Sequence, residues 1–138
     1  MKGLPTLIRL RRQELDEKRR TLVEIEQREA FIERDIEALD DEVTGERAFV
    51  GSAEDVRFAY ENFALAARTR RENLVGALAE VRVELEDVRE EVAEAFREYK
   101  KYDIAEENDQ RRQQDERDRL ERIDSDEIGT EIHRRANR

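Results

Sequence analysis

The chain has 138 residues, with 27 basic and 37 acidic side chains, a formal net charge of −10, one proline, five glycines and neither cysteine nor tryptophan. Charged residues make up 46% and apolar ones 37%, against about 25% charged in an ordinary domain, so a thick layered core is excluded. Disulfides and thiolate metal sites are excluded as well, and the negative balance argues against a nucleic-acid partner.

Pro5 is the only proline. From there to Val43 the apolar residues keep a seven-residue beat. Ile8, Leu15, Leu22, Ile36 and Val43 share one heptad position, and Leu4, Ile25, Ile32 and Leu39 share the other. This is the seam of a coiled coil. Arg11, Lys18 and Glu29 fall on core positions and weaken it. The spacing predicts a first helix over about 6–43.

The window 44–52 reads as a turn, with Gly45 and Gly51 at its special-dihedral positions. Ser52, ahead of Glu54 and Asp55, reads as a helix N-cap followed by acids in the first turn.

A second helix is predicted over about 53–123. Tyr60, Ala67, Leu74, Val81, Val88, Ala95 and Tyr102 are spaced by sevens, and Leu78, Leu85, Val92 and Tyr99 fill the other core position. Val56, Phe58, Phe63 and Phe96 are expected to widen the apolar face. After Ile104 the seam turns polar, with Glu106, Asp109, Gln113 and Glu116 in the core slots. Asp124-Ser125-Asp126 reads as a break before a basic tail, 124–138.

The predicted fold is therefore all-α: one domain over 1–138, a long antiparallel two-helix coiled-coil hairpin with a polar C-terminal helical extension. Both strong seams would be roughly 70 Å long at 1.5 Å per residue. Folding about 51–52 sets 2–20 (seven basic, three acidic) against 83–101 (four basic, seven acidic). It sets 24–46 (two basic, ten acidic) against 57–79 (four basic, two acidic). Opposed signs favour this pairing over a parallel dimer, although each exposed pair contributes only ~0.2–1 kcal/mol.

Catalytic chemistry is sparse. His133 is the single histidine, it lies in the tail, and no cysteine accompanies it. The scattered glycines form no phosphate loop. The expectation is a non-enzyme with no cofactor and no metal. Two surfaces stand out instead. One is the aromatic group Phe58, Tyr60 and Phe63 near the turn, either a plug for the hairpin end or a partner patch. The other is the basic stretch Arg9, Arg11, Arg12, Lys18, Arg19 and Arg20, which either pairs with the acidic 83–98 region or docks on an acidic protein groove.

Four stretches carry a family resemblance: LPTLIRLRRQELDEKRRTL (4–22), FAYENFALAARTRRENL (58–74), REYKKYDIAEE (97–107) and DSDEIGTEIHRR (124–135). In this order they resemble FliJ, the stalk component of the bacterial flagellar type III export apparatus, and its short alphaproteobacterial members in particular. The resemblance implies a coiled coil held in the pore of a hexameric export ATPase and linked to the membrane-embedded export gate. It implies that Arg9, Arg11, Arg12, Tyr99 and Tyr102 lie at the ATPase ring. It places the gate-facing surface at Tyr60, Phe63, Ala67 and Arg70, where Arg70 departs from a small apolar residue, with Leu74 on the same side. Export chaperones are further partners it suggests.

The chain is expected to be monomeric when isolated, and cytoplasmic, peripheral at the inner face of the inner membrane. No apolar run approaches the ~18 residues of a membrane span. Two other readings compete: a coiled-coil scaffold that self-associates through 103–123, and a chaperone-like module for export substrates.

Overall fold

The computed structural model describes residues 2–48 and 54–137. It contains two helices, α1 (Leu4–Ala48) and α2 (Glu54–Ala136), and no strand among the described residues. The two long helices pack against each other. By internal packing the chain divides into two compact units, 15–94 and 1–14 with 95–138.

In the unit 15–94 the helices run antiparallel. Lys18 meets Glu91 at 3.2 Å, Arg28 meets Glu84 at 2.8 Å, Arg71 meets Asp40 at 2.9 Å, and Arg82 meets both Glu29 (3.5 Å) and Glu33 (2.9 Å). Partner numbers rise on one helix as they fall on the other, which only antiparallel pairing produces. Behind this ladder lies the apolar seam. Ile25, Val81, Leu85 and Val88 are buried together, with Leu22, Ile32 and Val92 packed on them. Leu15, Leu39, Ala67 and Leu78 are buried as well. Among the described residues, no charged or polar residue is fully buried. The heptad spacing causes this arrangement: it keeps one stripe of each helix facing the other, and burial of apolar area provides the main stabilisation.

The register differs from folding about 51–52. That fold point gives paired residues numbers adding to about 103, whereas the observed ion pairs add to between 109 and 115. Segment 24–46 therefore faces about 65–87, with four basic and five acidic residues, not the basic 57–79. Apolar interdigitation sets the register here, and charges are satisfied pair by pair.

Both helices exceed their expected bounds. α1 starts at Leu4 rather than 6, with Pro5 in its first turn, where a missing N–H costs nothing. Gly3 precedes it at φ 88°, and its carbonyl accepts from the Leu7 N–H at 3.0 Å. At the other end α1 continues through Thr44 and Gly45 to Ala48. A single helical glycine costs only ~1 kcal/mol relative to alanine, and the Thr44 hydroxyl donates back to the Asp40 carbonyl at 2.9 Å. The predicted turn is thus helical over 44–48, and Gly51 and the Ser52 cap lie outside the described residues.

α2 passes through Asp124-Ser125-Asp126 and reaches Ala136, so the expected tail is helix. The Thr130 hydroxyl bonds the Asp126 carbonyl at 2.8 Å, and Arg135 and Arg134 reach Glu131 at 3.2 and 3.6 Å. His133, Arg134 and Arg135 occupy the last turn, where cations offset the negative end of the helix dipole.

The edges of the seam are also corrected. Val56, Phe58 and Phe96, expected to widen the apolar face, are 45%, 67% and 42% exposed; Phe63 is half-buried. In the observed register Val56 and Phe58 fall outside the span that the described residues of α1 cover.

Candidate functional site

The unit formed by 1–14 and 95–138 holds the five residues expected at an ATPase ring. Arg11 is half-buried on a seam position, and its guanidinium carbon sits 5.6 Å from the centre of the Tyr102 ring. Its Nη1 donates to Glu14 at 3.1 Å, while Nε is buried without a partner. The hydrogen bond it donates to Glu14 is the main reason the guanidinium pKa is raised, with the Tyr102 hydroxyl adding to it. Arg11 thus belongs to the interhelical packing of this unit. Arg9 and Arg12 are exposed on the same turns of α1. Tyr99 and Tyr102 are half-buried on α2 and carry Lys100 and Lys101 over their rings at 6.0 and 5.6 Å.

This seam is polar where the other unit's is apolar. Leu4 is its buried apolar residue. Glu106 is half-buried with one carboxylate oxygen unpaired, and its other oxygen accepts from Gln110 at 3.2 Å. Gln113 and Glu116 are exposed, so the core slots after 109 face solvent. Beyond that point the helix is laced by short-range pairs, such as Arg119 with Glu116 at 2.7 Å and Gln114 with Asp118 at 3.0 Å. Pairs at these spacings support an exposed helix by a few tenths of a kcal/mol each.

One feature here was missed at the sequence level. An open groove of about 680 Å³ runs along the start of α1, lined by Leu4, Leu7, Leu10, Lys2, Lys101, Tyr102 and Ala105. Its signal was the unbroken apolar cadence of LPTLIRL, in which Leu7 and Leu10 stand beside the seam instead of on it.

The residues expected to face the export gate lie in the unit 15–94. Tyr60 and Phe63 are half-buried, Arg70 is exposed, and Leu74 is half-buried in the seam. Ala67 is only 7% exposed, which removes it from the accessible surface. Among the described residues of α2 in this unit, the most exposed large apolar side chains are Phe58, Leu65 and Val83, at 67%, 62% and 63%. They are spaced 7 and 18 apart and stand on the side of α2 opposite its buried seam.

His133 lies in the last turn, with the Asn137 amide 3.0 Å from its Nε2. No group of three metal-ligating side chains occurs among the described residues. Among the described residues, no helix is long and apolar enough to cross a membrane.

A family model described as flagellar FliJ protein matches residues 1–138, the whole chain. No curated protein and no solved structure gives a significant match.

Proposed function

The chain belongs to the flagellar FliJ family, components of the flagellar protein-export apparatus, and on that premise we propose that it is a non-enzymatic stalk and coupling factor. It binds the hexameric export ATPase through the unit containing both chain ends. It binds the membrane export gate through the surface of the other unit around Tyr60 and Phe63. Its place is the cytoplasmic face of the inner membrane, held there by partners.

The observation that carries this reading is the antiparallel pairing of two long helices in a chain whose entire length matches the family. A stalk must transmit force or bias without melting. Continuous α-helices joined by an apolar seam satisfy that requirement. Arg9 and Arg12, exposed beside the chain start, supply charge for an acidic ring lining. Binding of such a stalk acts on the ATPase by favouring particular conformations or assemblies of the ring.

Adding the purified chain to the export ATPase of the same cell is expected to raise ATP hydrolysis. A coupling of about 1–3 kcal/mol corresponds to roughly 5–150-fold in affinity between states. Arg9→Glu with Arg12→Glu is expected to reduce the stimulation while leaving the helical content unchanged. Absence of both binding and stimulation would leave a scaffold that acts elsewhere in the apparatus.

A further inference from the structure

The chain-end unit contains a surface whose chemistry specifies its partner more narrowly than the stalk reading does. Leu10 is 49% exposed and Leu7 half-buried at the groove beside α1, with Tyr102 and Ala105 of α2 opposite. Large apolar side chains left at a concave surface mark a place where another side chain seats. Lys2 and Lys101 stand on its rim.

Ion pairs across the two helices flank the seam of the unit 15–94. There Lys18, Arg28, Arg71 and Arg82 each meet a carboxylate on the opposite helix. Lys2 and Lys101, on the rim of the groove, make no ion pair among the described residues, although the chain carries ten more acids than bases. Lys101 rests over the Tyr102 ring at 5.6 Å instead. An apolar trough bordered by two cations without carboxylate partners is complementary to an apolar anchor flanked by carboxylates.

We propose that this groove receives a segment of the export ATPase in which a large apolar side chain, of leucine or phenylalanine type, is flanked by Asp or Glu. The apolar side chain enters between Leu7, Leu10 and Tyr102, and the carboxylates meet Lys2 and Lys101. This assignment rests on the proposed ATPase binding and names the chemistry of that contact. The rim argues against a second copy seated groove to groove, because two like charges would face two.

The test measures affinity of the full chain for the purified ATPase hexamer, with folding of each variant checked by circular dichroism. Leu10→Glu is expected to weaken binding roughly tenfold or more, as loss of a central anchor does. Lys2→Glu with Lys101→Glu is expected to weaken it and to flatten its salt dependence, while Lys101→Arg retains it. Val83→Glu, on the other unit, is expected to leave it unchanged.

If the wild type binds and both groove variants bind equally well, the groove assignment is overturned and ATPase binding stands. If the wild type does not bind the ATPase, the functional reading fails and this assignment with it. A groove-dependent dimer of the chain alone, or Leu10-dependent capture on anionic lipid vesicles without ATPase binding, would overturn the assignment in favour of those occupants.

Discussion

Ile25→Ala and Leu85→Ala are each expected to destabilise the chain by about 2–5 kcal/mol, the range for truncating a large buried aliphatic side chain. Both side chains are essentially excluded from water, at 1% and 2% exposure, and they share the cluster with Val81 and Val88. Two helices cannot collapse onto a void as a multilayered core can, because each truncated knob faces only one other helix. Whole-domain stabilities of about 5–15 kcal/mol make either loss a large fraction of the total.

Val23→Ala serves as the reference, since Val23 is half exposed on the same helix; surface changes of this kind fall within about ±0.5 kcal/mol. Urea unfolding followed by helical circular dichroism measures all three. The double variant is expected to cost less than the sum, because both residues line one cluster. A loss below about 1 kcal/mol at both positions would mean that the seam is not where stability resides.

The second large effect is a contrast in amide hydrogen exchange along α2. Amides of 78–92 belong to a helix whose inner face is buried, so they open only with the hairpin. Those of 112–130 belong to a helix whose side chains are almost all exposed and whose support is short-range pairing alone. The 78–92 amides are expected to exchange about 100-fold or more slowly, since local opening costs far less than global unfolding. Raised salt should widen the gap by screening the pairs that hold the exposed segment. Equal protection in the two segments would show that 112–130 is packed against something.

The same contrast explains what was legible in the sequence. The residues assigned to the two heptad stripes are all buried or half-buried, from Leu4 to Val43 and from Tyr60 to Tyr102. Period is a strong signal because a helix repeats its faces rigidly, so each added heptad reinforces the same stripe. Ends and register are weaker signals. Gly45 and Asp124-Ser125-Asp126 resemble stops, yet each costs little, and a helix already propagating passes through them. The fold point at 51–52 came from matching blocks of charge, whereas the helices align through Leu85, Ile25 and their neighbours, with single pairs such as Arg82 with Glu29 and Glu33 following.

The candidate surfaces were legible in the same uneven way. Arg9, Arg12 and Arg70 are exposed as solvated cations should be. Ala67 was assigned both to the seam and to a partner surface, and packing resolves it into the seam. The groove at Leu7 and Leu10 was not singled out, because a stripe reading counts core positions and disregards apolar residues beside them.

The measurement that bears most directly on the hairpin uses the absence of native cysteine. Lys18→Cys with Glu91→Cys, joined by a short bismaleimide, is expected to give an intramolecular crosslink in a species of single-chain mass, since the native side chains meet at 3.2 Å. Crosslinked dimers from either single variant, with no intramolecular product from the double one, would contradict the pairing of α1 with α2 inside one chain.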